Sequence, residues 1–163
     1  MPVTGITKDI DNRTLVVTAH FAAPVERVWA LYADPRQLEQ VWGPPTYPAT
    51  FVTHELTPGT RSTYYMTSPD GEKFAGWWLI TGVEEPHRFT FDDGFADADF
   101  NDNPALPVAH NVYAFAADDG GTTATYTGVY ESAADLQTVL DMGMEEGATQ
   151  AINQIDGLLA AGD

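Results

Sequence analysis

The central part of the chain alternates between hydrophobic and polar residues with a period of two, as strands with one solvated face do. β-Branched and aromatic residues are frequent in these stretches, and Pro, Gly, Asn and Asp separate them. The pattern predicts strands over residues 13–21, 47–56, 61–67, 73–83, 88–92, 108–117 and 122–131. The turns between them are short, such as Ser68-Pro69-Asp70-Gly71, so we expect antiparallel pairing in one sheet.

Two regions follow the helical period instead. Behind Pro24, which suits a first helical turn, apolar residues recur at helical spacing: Val25, Val28, Trp29 and Tyr32. Asp34-Pro35 ends that helix and starts a shorter one over residues 35–40. Residues 136–159 predict one long amphipathic helix, with Ser132 as a plausible N-cap. Its inner face carries Met and small residues rather than a row of Leu: Leu140, Met144, Gly147, Ala151 and Ile155.

The order of these elements is a strand, two helices, six strands and a helix, within a single domain over residues 1–163. An antiparallel sheet with one face covered by a long helix is an α+β layer architecture. We therefore predict a curved antiparallel sheet of about six or seven strands wrapped around the C-terminal helix. Because the inner face of that helix is notched with small residues, we also predict an internal cavity.

The amino-acid composition excludes several kinds of chemistry and of cellular location. The chain has 163 residues and no cysteine, which excludes disulfides, thiolate metal sites and cysteine nucleophiles and fits a reducing cytoplasm. No stretch approaches the roughly 20 apolar residues of a membrane span, and we see no signal peptide. We expect a cytoplasmic protein without membrane insertion.

The charge is strongly acidic, with 24 Asp and Glu against 7 Lys and Arg and a formal net charge of −17. Such a surface repels nucleic-acid phosphates and anionic lipid headgroups, which argues against nucleic-acid and membrane-surface partners. A cationic partner, a high-salt cytoplasm and a simple solubility strategy all fit this charge.

A family resemblance rests on motifs in a fixed order along nearly the whole chain, about residues 13–160. These are residues 24–29 (PVERVW), Trp42-Gly43-Pro44, His54-Glu55-Leu56 with Pro58-Gly59, Pro69-Asp70-Gly71, and Gly143-Met144-Glu145-Glu146-Gly147 with Leu158-Leu159. The chain resembles the START-like (SRPBCC, helix-grip) superfamily, and within it the family named for the activator of the heat-shock-protein-90 ATPase. The resemblance implies the helix-grip fold and a cavity, but no shared catalytic set.

Two departures from the family pattern stand out. Ala148 stands where the family often carries Trp, which would enlarge the pocket. The acidic segment over residues 94–107 is longer than expected, and it is interpreted either as an ordinary surface loop or as a lid over the cavity mouth.

Strand alternation and helical spacing select the expected cavity lining. On residues 61–67 the apolar set is Tyr64 and Met66, so we assign those inward. The predicted ligand-binding residues are Trp29, Trp42, His54, Tyr64, Met66, Trp78, Phe89, Phe91, Tyr113, Tyr126, Met144, Gly147, Ala148 and Ala151. The alternative for each residue alone is ordinary packed core.

No catalytic constellation is recognisable, so the catalytic residues stay unknown. There is no G-x-S-x-G elbow, no phosphate-binding glycine loop and no H-E-x-x-H motif, and we predict neither a metal nor a cofactor. Polar groups that could serve an enzyme in the cavity are His54, His110, Tyr64, Tyr126 and Gln150. Carboxylate pairs such as Asp92-Asp93 are interpreted as solvated, although Glu145 or Glu146 could approach the pocket rim.

The leading hypothesis is binding of a small hydrophobic or aromatic, lipid-like or polyketide-like molecule in the cavity. The alternatives are a cyclase-, aromatase- or hydrolase-type enzyme using the same cavity, and a co-chaperone-like regulator of a chaperone ATPase. A homodimer is also possible: Trp77 faces away from the predicted lining, so it either marks a dimer contact or packs beneath a neighbouring side chain.

Overall fold

Eight antiparallel strands form one curved sheet in the computed structural model, which describes residues 2–161. The strands are β1 (Val3–Asp9), β2 (Thr14–Phe21), β3 (Ala49–Thr53), β4 (Arg61–Thr67), β5 (Lys73–Glu84), β6 (Arg88–Ala96), β7 (Ala109–Asp118) and β8 (Gly121–Tyr130). Their order across the sheet is β1-β2-β8-β7-β6-β5-β4-β3. The α+β helix-grip architecture expected from the sequence is therefore confirmed.

Five helical segments accompany the sheet: α1 (Val25–Ala33), α2 (Pro35–Trp42), α3 (Ala133–Asp141), α4 (Met144–Asn153) and α5 (Ile155–Ala160). The first two follow β2 and carry the chain across to β3 at the other end of the sheet. Asp34 caps α2 by accepting a hydrogen bond from the Arg36 amide at 2.9 Å, and Ser132 caps α3 by accepting one from the Asp135 amide at 3.0 Å.

The single long C-terminal helix predicted over residues 136–159 is wrong in one respect, because the run is broken. Gly143 adopts a left-handed backbone with φ of 86°, and its amide donates to the Leu140 carbonyl, which ends α3. A second, smaller break at Gln154 separates α4 from α5. The continuous apolar spacing concealed the first break, because glycine tolerates both helical and left-handed conformations.

The strands also differ in number and length from the prediction. β1 was missed because Val3–Asp9 contains Gly5 and alternates weakly, yet it pairs along β2. β3 is shorter than expected, and β6 continues to Ala96 instead of ending at Asp92. The sheet therefore has eight strands rather than six or seven, and the acidic connection begins three residues later than predicted, at residue 97.

Side chains on the concave face of the sheet form two separate hydrophobic clusters. The larger one, which we call the aromatic core, lies beneath α1, α2, the end of α4 and α5. It contains Trp29, Tyr32, Phe51, Trp78, Phe89, Phe91, Phe115 and Tyr126 together with smaller apolar residues. The smaller one, which we call the small core, lies beneath α3 and contains Leu15, Ala109, Tyr130, Leu136 and Val139.

Trp77 lies on the convex face of the sheet, and it packs beneath a neighbouring side chain. Its ring lies over Gly94, where an added Cβ would come within 2.5 Å of the indole, and the Arg61 guanidinium stands 4.9 Å above the ring. The indole N–H donates to the Phe95 carbonyl at 3.2 Å, and the residue is only 7% exposed. This burial removes the argument for a dimer contact at Trp77.

The acidic loop after β6 is tethered to the convex face of the sheet. Arg61, which faces outward on β4, donates to the Phe100 carbonyl at 2.9 Å and to Asp102 Oδ1 at 2.6 Å. Since these contacts hold the loop on the face opposite the two cores, the structure favours its interpretation as a surface loop. Among the helices within residues 2–161, none combines the length and the apolar character needed to cross a membrane.

Candidate functional site on the concave face

A polar band separates the two cores at the middle of the sheet. It consists of Asp93 on β6, Asn111 on β7 and Gly128 on β8, all at inward-facing positions. On β6 the band follows Phe91 of the aromatic core, and on β8 it lies between Tyr126 of the aromatic core and Tyr130 of the small core. A carboxylate and an amide at these positions interrupt what would otherwise be one continuous apolar interior.

Tyr64 reaches Asp93 across an intervening strand because that strand carries a glycine. The phenol of Tyr64 on β4 lies over Gly76 of β5, where an added Cβ would stand 2.5 Å from both Cζ and the hydroxyl oxygen. The hydroxyl then donates to Asp93 Oδ1 at 2.9 Å. Gly128 plays a similar part, since an added Cβ there would stand 3.0 Å from Asn111 Oδ1.

Asp93 combines deep burial with partial access to water. Burial raises the pKa of Asp93 to about 7, and the hydrogen bond from Tyr64 opposes this by stabilising the ionised form. Part of the residue nevertheless remains exposed. Because Asp93 is partly exposed, solvent reaches it on the concave side of the sheet, and we call this opening in front of Asp93 the recess.

Two further phenols share this environment. Burial raises the pKa of Tyr113 and of Tyr130, with the Asp93 charge adding to both shifts, so each stays neutral at physiological pH.

The Trp42 ring meets Tyr64 edge-on at 5.9 Å between centroids. Its buried Nε1 makes no hydrogen bond within residues 2–161, although it lies close enough to the Tyr64 hydroxyl to lower the pKa of that phenol against the larger effect of burial.

The recess opens on one flank of α4. This helix spans the polar band, since Met144 at its start packs against the small core and Ile152 near its end belongs to the aromatic core. Lys8 on β1 forms an ion pair of 2.8 Å with Glu145. At Gly147, on the flank away from Glu145, an added Cβ would meet no atom within 4 Å. Met144, Gly147 and Ala148 are half-buried, whereas Ala151 one turn later is only 5% exposed.

Two surface depressions lie outside this region. One, of about 440 Å³, borders the start of α1 near Pro24 and Gly121; the other, of about 460 Å³, lies between Lys8, Ile10 and Leu140. Neither reaches the polar band or contains a buried titratable group. We therefore place the candidate site by its chemistry, since a carboxyl group with a strongly raised pKa is a mark of functional sites.

Most of the predicted lining residues belong to the aromatic core, where rings fill the space. Trp78 stacks on Phe91 with 4.0 Å between centroids, and Phe89 meets Trp29 edge-on at 5.7 Å. The structure places Trp29, Trp78, Phe89, Phe91 and Tyr126 in this packed interior. It places Trp42, Tyr64, Met66 and Tyr113 between the packed interior and the polar band, and Met144, Gly147, Ala148 and Ala151 on α4.

His54 is part of the packed structure rather than a free polar group. Its Nε2 donates to the Tyr32 carbonyl at 2.7 Å, and its Nδ1 accepts from the Ser62 hydroxyl at 2.8 Å. Burial lowers the pKa of His54, and the hydrogen bond to the Tyr32 carbonyl partly offsets this. With both ring nitrogens occupied, the residue holds the chain after β3 against α1.

The other polar candidates also lie away from the recess. His110 stands on the convex face between Glu131 and Asp92, with contacts of 2.8 and 2.6 Å. Tyr126 accepts a hydrogen bond of 2.8 Å from Tyr32 inside the aromatic core, and Gln150 is exposed and donates to Glu146. Among residues 2–161, no three His, Cys, Asp or Glu side chains come close enough together to hold a metal ion.

The interpretation of Asp93 as a solvated carboxylate is wrong, and Asn111 was overlooked. The first error arose because the predicted strand ended at Asp92 and its alternation was not extended. Asn111 lay within the predicted strand over residues 108–117, but only the aromatic residues of its inward face were considered. Since Phe89 and Phe91 face inward, the same parity assigns Asp93 and Phe95 to the concave face. Parity from Tyr113 likewise assigns Asn111 there.

The sequence of this chain matches the model of a known family over residues 22–160, described as activator of Hsp90 ATPase homolog 1-like protein. The chain belongs to this family. The match begins just before α1 and ends with α5, so β1 and β2 lie outside it. No curated protein matches the chain.

Solved structures agree with this family and fold. A protein from Mycobacterium smegmatis is 64% identical, with 99% of each chain covered and a TM-score of 0.91. A protein from Arthrobacter aurescens is 45% identical, with 98% of this chain and 93% of that chain covered and a TM-score of 0.94. A Silicibacter pomeroyi protein named for the same family shares the fold at 20% identity and a TM-score of 0.73, over 91% of this chain and 98% of that one.

Proposed function

We propose that this protein binds a small hydrophobic or aromatic molecule between α4 and the concave face of the sheet. The observation that carries the proposal is the Asp93–Tyr64 pair at the floor of a recess whose rim is the open flank of Gly147. Ligand sites are mostly apolar and contain a few convergent polar groups. Met66 lies two residues from Tyr64 and Phe95 two residues from Asp93, each on the same face of its strand, and the half-buried Met144 on α4 adds further apolar surface.

The arrangement assigns distinct tasks to the two parts of the site. The half-buried Met144 and Met66 can adjust their shape to an apolar ligand, because methionine is unbranched and flexible. The Asp93–Tyr64 pair orients the polar end of the ligand, since it is held by a hydrogen bond of 2.9 Å on rigid strands. Ala148 keeps the α4 side of the recess wide.

The proposal is tested by binding to a variant in which the rim is filled. We expect 2-naphthol, 1,8-dihydroxyanthraquinone or lauric acid to raise the melting temperature of the native protein by mass action. Gly147→Leu places a side chain in the open space and should reduce that shift severalfold. Gly157→Leu is the matched control, because Gly157 is an exposed helical glycine with equally open surroundings on α5.

Two results would overturn the proposal. One is the absence of a melting shift with every member of the panel. The other is an equal loss of binding in the two glycine variants, which would show that the effect does not come from the recess.

A second candidate is acid–base catalysis in the same recess, and the pKa of Asp93 at about 7 favours it. A group with that pKa is partly ionised and partly protonated at neutral pH, so it can both accept and return a proton. A bound ketone whose α-carbon approached Asp93 would exchange hydrogen with solvent. Incubation of 2-tetralone in D2O should show protein-dependent deuterium incorporation that Asp93→Asn abolishes. Incorporation at the buffer rate would eliminate this candidate.

Regulation of a chaperone ATPase stays a prediction from the family resemblance.

A further inference from the structure

Asp93 has no cationic partner within residues 2–161, although it is the carboxylate at the floor of the recess. Its one hydrogen bond comes from the neutral hydroxyl of Tyr64. All seven Lys and Arg side chains are engaged elsewhere: Lys8 with Glu145, Arg13 with the Glu131 carbonyl, Arg27 with Gln37, Arg36 with the Phe51 carbonyl, Arg61 with Asp102, Lys73 over the Tyr65 ring, and Arg88 with Glu84. Buried charges are normally paired or neutralised by a proton, so the ionised form of Asp93, which is present at neutral pH, has no cation of residues 2–161 to compensate it.

The surroundings of Asp93 are aromatic. Trp78 is its cross-strand partner on β5, and Phe91 and Phe95 flank it two residues away on the same face of β6. Tyr64 contacts the carboxylate directly, and Tyr113 and Tyr130 lie close enough for their phenols to sense its charge. Trp78 and Phe91 are fully buried and stacked on each other, whereas Phe95 and Tyr113 are half-buried. The faces of aromatic rings attract cations, most strongly where water is excluded.

We propose that the recess recognises a lipophilic cation, a molecule with an apolar body and an amine or quaternary ammonium head that lies against Asp93. This inference rests on the proposed function and names its ligand class. The head would pair with the carboxylate while the surrounding rings contact its alkyl groups, and the apolar body would extend toward Met144 and Gly147. The net charge of −17 on the chain draws a cation toward the protein from solution.

The affinity for a permanent cation should rise with pH through the titration of Asp93. The groups that face this carboxylate are Tyr64 from β4, Tyr113 from β7 and Tyr130 from β8, and burial raises the pKa of each so that they stay neutral. On α4, Glu145 is paired with Lys8 and Glu146 is exposed. Since the pKa of Asp93 is about 7, its ionised fraction grows about tenfold between pH 6 and pH 8.

The experiment compares a cation with its uncharged carbon isostere. Benzyltrimethylammonium and neopentylbenzene have the same shape and differ in one formal charge. We expect NMR titration to show benzyltrimethylammonium binding at least tenfold more tightly at pH 8, with shifts at Phe95, Asn111 and Gly147. Between pH 6 and pH 8 its affinity should rise about tenfold, while that of neopentylbenzene stays constant.

Variants at adjacent carboxylates assign the effect to one side chain. Asp93→Asn should remove both the preference for the cation and its pH dependence. Asp92→Asn, on the convex face beside His110, should change neither. If Asp93→Asn fails to fold, the pH titration of the native protein still decides the question.

The outcomes separate the two proposals. Equal binding of the isosteres would overturn the cation inference and leave the apolar site standing. Binding of neither isostere, together with no shift from the wider panel, would overturn both. A preference for the cation that survives Asp93→Asn would place it at another acidic surface and overturn the inference.

Discussion

The aromatic core and the polar band lie on the same strands and the same face of the sheet, yet one is filled and the other is open. Phe89 and Asp93 are both inward residues of β6, four positions apart. Phe89 is fully buried, with Trp29, Tyr32 and Trp78 rings at centroid distances of 5.7 to 6.2 Å. Asp93 accepts one hydrogen bond from the phenol of Tyr64 and otherwise borders the recess. Strand parity selects a face, and the covering helix decides whether the space in front of that face is filled.

The helices that lie over the aromatic core and over the polar band differ in the size of the side chains that they present to the sheet. α1 and α2 contribute large buried side chains to the aromatic core, among them Trp29, Tyr32 and Leu38. α4 presents Met144, Gly147 and Ala148 at the corresponding places and leans on β1 through the Lys8–Glu145 pair. Small residues on α4 leave Asp93 and Asn111 of the polar band partly exposed, whereas the aromatic core is fully covered.

The sharpest test of this difference truncates two phenylalanines on one strand. Phe89→Ala should cost about 3–5 kcal/mol of unfolding free energy, because it leaves a cavity inside a close-packed cluster. Phe95→Ala, six residues along the same face and half-buried, should cost less than about 2 kcal/mol. Urea unfolding at constant m-value measures both. Equal costs would mean that the polar end is packed as tightly as the aromatic core.

A second test uses the pH dependence of stability. The pKa of Asp93 is raised in the folded protein to about 7, so the folded state holds a proton that the unfolded chain has released. Stability should therefore fall as pH rises from about 4 to 7, by at most about 4 kcal/mol and by less where water reaches the carboxyl group. Asp93→Asn should flatten this part of the curve, and Asp92→Asn should preserve it. Identical profiles for native protein and Asp93→Asn would show that the group is not desolvated.

A third test adds one methyl group at a crowded glycine, Gly76, and one at an open glycine, Gly147. At Gly76 the new Cβ would collide with Tyr64, so Gly76→Ala should cost about 1–3 kcal/mol and break the contact with Asp93. Gly147→Ala meets open space within a helix and should stabilise the protein by up to about 1 kcal/mol. Thermal unfolding of the two variants checks the opposite signs. Destabilisation by Gly147→Ala would argue against the open flank.

The smallest expected effect concerns the convex face, where carboxylates are solvated. Hydrogen bonds that the His110 ring donates to Glu131 and Asp92 raise the pKa of His110, so its contribution to stability is present below its ordinary pKa of 6.5 and is lost as pH rises through the higher folded value. Because the three side chains are exposed or only partly buried, His110→Gln should cost less than about 1 kcal/mol near pH 6. The cost should fade as pH rises through the folded pKa of His110. A larger or pH-independent loss would contradict a solvated ion pair.

Much of the fold could be predicted from the hydrophobic periodicity of each segment and from the Pro, Gly, Asn and Asp residues that separate the segments. β4 has the bounds that its alternation predicts, and the two short helices follow Pro24 and Asp34-Pro35 as expected. Tyr64 and Trp78 are inward as their parity requires. The aromatic supply was visible as well, but whether it lines a space or fills one depends on distances between strands that are remote in sequence.

Local chemistry therefore determined most of the elements, the inward face of the strands that it predicted, and the absence of cysteine chemistry. Only the tertiary structure decided that Asp93 is desolvated, because its environment comes from Tyr64, Trp78 and Tyr113 on other strands. It also decided that Gly143 ends a helix and that Gly147 leaves open space, although the two glycines are four residues apart. The sequence specifies the chemical type of each side chain, whereas the solvation and the pKa of that side chain depend on the atoms that folding brings around it.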